Sequence, residues 1–278
     1  MTAERYKILF PVDFSNRSAL AAKHVKVWVD RFNATLETLH IIDRDLHPGQ
    51  YYALLPLVER RKGDLRHFSD RYFGANVASC SVVTGDVADE IEYFAERERV
   101  DLIMLPRDHQ TLASRVLRDS LAATLLERCT ASVWITEHIE DAHTVPVSIL
   151  CAVHLEPDAS LDAENDRLMQ TTRDLVSRFQ ARVTVLHVVR RSGEVGGVGA
   201  AASEMDQWKQ KVQGLFANAI TFVKKTGDVI TSIRETSEQC DAELIVVGRT
   251  RPETLGLGRQ TGDLKIDHAT HRPVLSVW

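Results

Sequence analysis

The chain of 278 residues repeats itself at an offset of about 142 residues. The tetrapeptide TGDV stands at 84–87 and again at 226–229, and its surroundings repeat as well. The aligned stretches are TGDVADEIEYFAERERVDLIML with TGDVITSIRETSEQCDAELIVV, YKILFPVDFSNRSAL with VSILCAVHLEPDASL, and ATLETLHII with ARVTVLHVV. A repeat of half the chain is a domain, not a solenoid module. We therefore expect domains at 1–140 and 146–278, joined by the charged linker EHIEDAHTVP.

Each half alternates short apolar runs with amphipathic helical patterns. Short continuous runs such as LIML and LIVV are typical of strands that are buried on both faces. Strands are predicted near 6–12, 35–42, 77–83, 101–105, 132–136, 147–153, 182–189, 218–224, 243–247 and 273–277, and first-half helices near 16–31, 52–73, 87–99 and 111–128. Strand–helix alternation predicts an α/β fold, here two tandem doubly wound parallel five-stranded sheets.

Composition excludes several classes of protein. The net charge of −5 gives no attraction to nucleic acid or to an anionic membrane. The charged start MTAERYKILF is unlike a secretory signal, and no apolar run approaches the roughly 18 residues of a membrane helix. The four isolated cysteines fit a reducing compartment, so we expect a cytoplasmic protein that binds neither nucleic acid nor membrane.

The order of these motifs resembles the universal stress protein family in its tandem two-domain form. The resemblance rests on ILFPVDFS with Asp13 after the first strand, on LHII and LHVV closing the second strands, and on the twin TGD turns. It also rests on LIML and LIVVG, and on the final strands ASVWIT and HRPVLSVW. Many members bind ATP, with an aspartate at the adenine end. The phosphates and ribose are then held by a Gly-x-x-Gly motif and, after nine intervening residues, by a Gly-Ser/Thr pair. The glycines let backbone N–H groups approach the phosphate oxygens.

The first half departs from this ATP pattern. Asp13 matches, and Ser120 follows at the expected spacing. The positions of the Gly-x-x-Gly motif, however, are occupied by Pro106-Arg107-Asp108-His109, and Asp119 replaces the glycine of the Gly-Ser/Thr pair. Proline has no N–H to donate, and a carboxylate about 4 Å from a phosphate can cost several kcal/mol. We expect this half to bind ATP poorly or not at all.

The second half departs in the complementary way. His154 replaces the aspartate at the adenine end, whereas Gly248 is retained. Arg249 and Arg251 follow it, and the segment PETLGLGRQTGD supplies Gly258 and Thr261. The alignment of this segment with the family's Gly-Ser/Thr pair is ambiguous, so Thr261 is not assigned firmly to the hydroxyl position. Glycines, arginines and a helix start suit an anion. ATP is therefore a candidate cofactor of the second half only.

Other polar positions have structural explanations that we favour. The TGDV aspartates are expected to cap helices and the glycines to support unusual turns. His40 and His187 are expected to hydrogen-bond a loop at a strand end, although a ligand contact is open. Ser15 or Asn16 is expected to cap a helix rather than act as a nucleophile. His268 and His271 lack the further ligands that a metal site needs.

The last strands carry Trp134 and Trp278. An exposed apolar edge strand invites aggregation, and in the family this strand commonly pairs across a dimer. We therefore predict that the two last strands of one chain pair across a pseudo-twofold axis, with a further homodimer left open.

The sequence shows no catalytic constellation such as Gly-x-Ser-x-Gly or His-Glu-x-x-His. We therefore expect no enzyme, but a stress-response protein that acts as a ligand-binding or regulatory module with eroded ATP motifs. Two alternatives stay open: a nucleotide switch in the second half with slow hydrolysis at most, and a sensor of a small apolar or anionic metabolite.

Overall fold

The computed structural model describes residues 5–43, 51–74, 77–106, 121–136, 139–140, 142–153, 159–189, 210, 212–214, 216, 220–249 and 262–278. The chain divides into two compact units, Met1–Thr144 and Val145–Trp278. The domain limits 1–140 and 146–278 themselves stay a prediction. Of the helices described, none combines the length and the apolar character that crossing a bilayer requires.

The first unit is a parallel sheet with helical crossovers. Its elements are β1 (Lys7–Pro11), α1 (Asn16–Phe32), β2 (Thr35–Asp43), α2 (Tyr51–Tyr72), β3 (Val77–Gly85), α3 (Val87–Glu98), β4 (Leu102–Pro106), the helical stretch α4 at 121–128, and β5 (Ser132–Thr136). The strands lie in the order β3-β2-β1-β4-β5, and each pairs in parallel with its neighbour.

The second unit repeats this topology. Its elements are β6 (Ser148–Val153), α5 (Ala159–Phe179), β7 (Arg182–Val189), β8 (Ile220–Thr226), α6 (Val229–Gln239), β9 (Leu244–Gly248), α7 (Gly262–Thr270) and β10 (Val274–Val277). The order is β8-β7-β6-β9-β10, again all parallel. The predicted α/β class and the tandem doubly wound parallel sheets are thus confirmed.

The predicted strands all exist, with ends that differ by up to two residues. The centres of the inner strands are buried on both faces, as in β1, where Ile8, Leu9 and Phe10 are fully buried, whereas β3 and β8 are only partly buried. Continuous burial explains why these runs are uniformly apolar rather than alternating. Of the helix predicted at 111–128, residues 121–128 are helical, and 111–120 lie outside the described residues.

The two TGDV segments make the same strand-to-helix turn, and their aspartates cap helices as predicted. Asp86 accepts hydrogen bonds from the N–H groups of Ala88 and Asp89 at the start of α3. Asp228 accepts one from the N–H group of Thr231 at the start of α6. Each cap satisfies backbone donors that have no partner within the helix.

The glycines of the two turns differ, which corrects the prediction that both support an unusual turn. Gly227 has φ +144°, a conformation that favours glycine. Gly85 is the last residue of β3 and has no positive φ. A Cβ at Gly85 would instead collide with the side chain of Glu90 on α3. A larger residue at position 85 would therefore require the Glu90 side chain to move, whereas the backbone there does not require glycine.

A buried histidine belongs to the core of the first unit. His24 on α1 is 4% exposed, and its ring lies 5.5 Å from that of Trp134 on β5. Burial, followed by the charge of Lys23, lowers the pKa of His24 from 6.5 to about 4. The ring is therefore neutral at pH 7 in the folded chain.

Acidification should destabilise the fold through His24. The unfolded chain binds a proton near pH 6.5 and the folded chain only near 4, so stability is present above pH 6.5 and is lost between 6.5 and 4. We expect this residue to contribute a loss of about 3 kcal/mol across that window. Urea denaturation of the wild type and of His24→Leu, each at pH 7 and 4, measures it. If both proteins lose the same unfolding free energy, His24 is not the cause.

Candidate functional site

The strand order places a crevice at the carboxyl ends of β1 and β4. From β1 the chain proceeds to β2 and β3 on one side, and then returns to β4 on the other side. The crossovers on the two sides therefore diverge at this point. Open α/β sheets bind ligands at such a switch point.

A pocket of ≈ 130 Å³ lies in this crevice. Its polar side chains are Asp13, Ser18 and His40. Its remaining walls are apolar and come from the strand ends, α3 and α4: Pro11, Val12, Ile41, Val87, Ile91, Leu105, Pro106 and Leu121. Ligand pockets commonly combine such an apolar lining with a few convergent polar groups. The fold thus places predicted Asp13 in a pocket, as the resemblance implied.

Asp13 is tied to the first turn of α1. Its Oδ1 accepts a hydrogen bond from the N–H group of Ser15 at 2.9 Å and another from the Oγ of Ser18 at 2.6 Å. Ser15 caps α1 by accepting a hydrogen bond from the N–H group of Ser18. The structure confirms Ser15 as the helix cap, and it assigns Ser18 to the support of Asp13.

His40 stands at the end of β2 and faces the same pocket. Its Nδ1 donates to the carbonyl oxygen of Val12 at 2.7 Å, because a carbonyl can only accept. Burial lowers the pKa of His40 below 6.5, outweighing the hydrogen bond to Val12, and Arg61 acts in the same direction as burial. The ring is neutral at pH 7, so its Nε2 is an acceptor.

His187 makes the corresponding contact in the second unit, where its Nδ1 lies 3.4 Å from the carbonyl oxygen of Val153. The prediction that both histidines fix a loop at a strand end is confirmed. His40 does more, because it also lines the pocket.

Phe14 lies beside His40 in a strained conformation. Its φ is 61°, a left-handed value that costs roughly 1–2 kcal/mol for a residue other than glycine. Its ring lies 4.5 Å from the ring of His40, and the guanidinium of Arg61 lies 5.5 Å from its centroid. These contacts hold the residue that links Asp13 to α1.

Pro106 lines the pocket where the family pattern has its first phosphate-binding glycine. It ends β4 and supplies no N–H group to an anion. Ser120, and Asp119 before it, lie outside the described residues. Of the first-half positions, the structure therefore brings Asp13 and Pro106 together, and adds Ser18 and His40.

In the second unit, Gly248 ends β9 and is exposed. A Cβ there would meet Leu168 at 3.6 Å, an ordinary contact, so local packing does not require glycine. The guanidinium of Arg249 lies 4.8 Å from the ring centroid of Trp278, and its backbone N–H group donates to the carbonyl oxygen of Val277. The other predicted positions, His154, Arg251, Gly258 and Thr261, lie outside the described residues.

Asp263 adds an acidic group near Arg249. It lies in the first turn of α7. Burial raises the pKa of Asp263, although the nearby hydroxyl of Ser276 and the charge of Arg249 act against burial. A carboxylate at this helix start disfavours a bound anion, because both compete for the same end of the helix dipole.

Within the described ranges, no three histidine, cysteine, aspartate or glutamate side chains are grouped to hold a metal ion. The rings of His268 and His271 lie 6.4 Å apart. His271 has φ 54° and its N–H group donates to the carbonyl oxygen of Asp267. It therefore belongs to the end of α7.

The sequence left a ligand contact of His40 open and gave no reason to place Ser18 beside it. The separation of Ser18 and His40 in the chain hides that both line the pocket. The available signal was topological, since β1 and β2 pair in parallel and their carboxyl ends must meet. Phe14 gave no sequence signal, because φ is set by the fold.

Comparison with known proteins agrees with this architecture. Residues 5–137 match the Universal stress protein family. A universal stress protein from Methanocaldococcus jannaschii is 25% identical over 153 residues, which are 47% of this chain and 94% of that protein.

Two solved structures are similar over nearly the whole chain. A universal stress protein from Archaeoglobus fulgidus covers 99% of this chain and 96% of its own, with a TM-score of 0.71 at 15% identity. A functionally unknown protein from Pseudomonas aeruginosa covers 99% and 92%, with a TM-score of 0.72 at 17% identity. At these identities the similarity shows the tandem fold alone.

The hydrogen bonds of Asp13 predict an asymmetric response to substitution. Asp13→Ala removes the acceptor for Ser15 and Ser18 and should lower the unfolding free energy by about 1 kcal/mol. Asp13→Asn retains an Oδ1 acceptor and should lie within about 0.5 kcal/mol of the wild type. Urea denaturation of the three proteins measures this difference. Equal stability of the alanine and asparagine variants would show that the network does not contribute.

Proposed function

We propose that this chain, whose residues 5–137 match the Universal stress protein family, is a non-enzymatic stress-response protein that binds a small molecule in its first unit. Binding would regulate what the protein does rather than lead to chemistry. The fold alone does not supply this function. The proposal depends on the pocket at the switch point of β1 and β4.

The size and lining of this pocket carry the proposal. Its ≈ 130 Å³ is well below the roughly 300–1,000 Å³ of sites for drug-sized ligands. Most of its walls are apolar, and Pro106 stands where the family pattern has a glycine. A small, mainly apolar molecule suits this space better than a nucleotide with its phosphates.

The polar groups of the pocket support binding rather than catalysis. Ser18 directs its hydroxyl to the carboxylate of Asp13, which also accepts from the N–H group of Ser15 at the start of α1. The Nδ1 of His40 is committed to the carbonyl oxygen of Val12. The hydroxyl and the ring nitrogen are thus each engaged with a structural partner, whereas a serine nucleophile is commonly activated by a histidine that a third group orients.

The alternative function is a nucleotide switch in the second unit, with slow hydrolysis at most. Gly248 favours it, because the glycine is exposed and its packing would accept alanine. Close approach of a ligand to the backbone is a remaining reason for glycine at a strand end. Arg249 and Arg251 would supply positive charge. Asp263 and the replacement of aspartate by His154 argue against it.

Location and assembly belong to the same proposal. The isolated cysteines favour a cytoplasmic protein. Pairing of the two last strands across a pseudo-twofold axis stays a prediction, as does a homodimer of chains. The strand pairing is supported by the apolar character of Ser132–Thr136 and Val274–Val277, because an apolar strand at an exposed sheet edge invites aggregation.

Small molecules released from the purified protein test the proposal directly. The protein is denatured, and the released molecules are identified by mass spectrometry and quantified per chain. We expect less than stoichiometric ATP and AMP, and calorimetric titration should give an ATP Kd weaker than about 1 mM. A nucleotide retained at about one per chain would instead support the second-unit alternative.

Restoration of the family pattern checks why the first unit rejects ATP. The double variant Pro106→Gly/Asp119→Gly returns an N–H donor and removes a negative charge, so ATP affinity should rise by at least about tenfold. His154→Asp returns the aspartate of the family pattern to the second unit and is measured as a separate variant. If neither change improves ATP binding, these residues are not what excludes the nucleotide.

Gly248→Ala separates the two functions. Because a Cβ would meet Leu168 at an ordinary distance, stability should change by less than about 0.5 kcal/mol. Under the proposed function, the small molecules released on denaturation and the affinity for ATP should be the same in this variant as in the wild type. The alternative instead requires ATP binding by the wild type and a loss of about tenfold or more in this variant. Thermal unfolding and calorimetry on the same samples decide between them.

A further inference from the structure

Among the described residues of the first-unit pocket, the polar side chains commit their donors to partners within the protein. An ionised aspartate such as Asp13 accepts and cannot donate. The hydroxyl of Ser18 already donates to Asp13 Oδ1 at 2.6 Å. The Nδ1–H group of His40 already donates to the carbonyl oxygen of Val12, which leaves Nε2 as an acceptor on the neutral ring.

The backbone at the strand ends adds few donors. Pro11 and Pro106 have no N–H group. The N–H group of Val12 donates to the carbonyl oxygen of Leu39 at 2.8 Å. The N–H group of Asp13 is directed at the Oγ of Ser18 at 3.4 Å. A carboxylate or phosphate in this space would lose its water without gaining donors, which is a costly exchange.

The positive charge of Arg61 is already compensated. Arg61 lies against Phe14, outside the lining residues, and its Nη1 is 3.2 Å from the Oδ2 of Asp64. An anionic ligand would therefore compete with Asp64 for this guanidinium. A cationic ligand would meet the carboxylate of Asp13 instead.

The apolar part of the pocket fixes the size of the ligand body. Ile91 is fully buried, and Leu105 is 7% exposed. A dry apolar cavity of about 150 Å³ holds one benzene ring, and this pocket has ≈ 130 Å³. This part of the pocket therefore accommodates a group of about one six-membered ring or a short branched chain.

We propose that the first-unit pocket binds a small amine: an apolar body against Ile91 and Leu105, with its ammonium or N–H group at Asp13 and His40. This inference rests on the proposed function, since it names the ligand class of the same pocket. An ammonium can donate charge-assisted hydrogen bonds to Asp13 and His40, whereas an anion of the same shape would meet the negative charge of Asp13. The amine is recognised as a ligand and undergoes no reaction.

Four probes of similar shape test this ligand class on the full-length chain. Benzylamine, benzyl alcohol, benzoate and toluene are titrated at pH 7, and binding is followed by calorimetry and by the methyl NMR signals of Ile41 and Ile91. We expect benzylamine to bind at least about tenfold more tightly than benzyl alcohol, because a hydrogen bond to a charged group is the stronger one. Benzoate should not shift these signals.

Matched variants locate the effect. Asp13→Asn retains the acceptor for Ser15 and Ser18, so the pocket stays folded. The loss of the negative charge should lower the affinity for benzylamine by about tenfold or more. Asp43→Asn removes the same charge from an exposed residue at the end of β2, outside the lining residues, and should leave benzylamine binding unchanged. Equal losses in the two variants would show attraction by net charge and overturn the amine site.

The outcomes separate the ligand class from the proposed function. If toluene or benzoate binds as well as benzylamine, the pocket is a ligand site and the amine inference is wrong. If none of the probes shifts the Ile41 and Ile91 signals, and no small molecule is released from the purified protein, the small-molecule function itself fails. Selective binding of benzylamine that depends on Asp13 supports both.

Discussion

The parallel pairing of β1 with strands on both sides is the constraint on which the first unit depends. β1 lies between β2 and β4, and its central residues Ile8, Leu9 and Phe10 have no exposed surface. Because the three strands run in the same direction, their carboxyl ends meet at one edge of the sheet. The crossovers leave that edge on opposite sides, and the space between them is the pocket. The second unit places β6 between β7 and β9 in the same way.

One local network converts this topology into a shaped site. Asp13 leaves β1 and is fixed by Ser15 and Ser18 at the start of α1. His40 leaves β2 and is fixed by the carbonyl oxygen of Val12. These hydrogen bonds engage the hydroxyl of Ser18 and the Nδ1–H group of His40. The residues that organise the pocket therefore also set which of their polar atoms face it.

The two units show how a duplicated fold can retain its architecture while its sites diverge. Both aspartates of the TGDV turns cap helices, and both LH histidines contact a carbonyl oxygen of the neighbouring strand. These contacts stabilise the fold and are retained in both copies. The positions that would touch a nucleotide are not, since Asp13 faces His154 in the alignment and Pro106 faces Gly248. Each unit lacks a different part of the ATP pattern.

The sequence by itself determined the repeat, the alternation of strands and helices and the helix-capping aspartates, because these features depend on residues that are close in the chain. Apolar runs, caps and turns are local signals, so strand positions were predicted to within two residues. Only the tertiary structure decided that Ser18 and His40 join Asp13, that Phe14 adopts φ 61° and that Gly85 makes room for Glu90. These facts depend on which strands become neighbours and on how closely a helix packs. They are determined by contacts between residues that are not neighbours in the chain, and no local sequence pattern indicates which residues will meet.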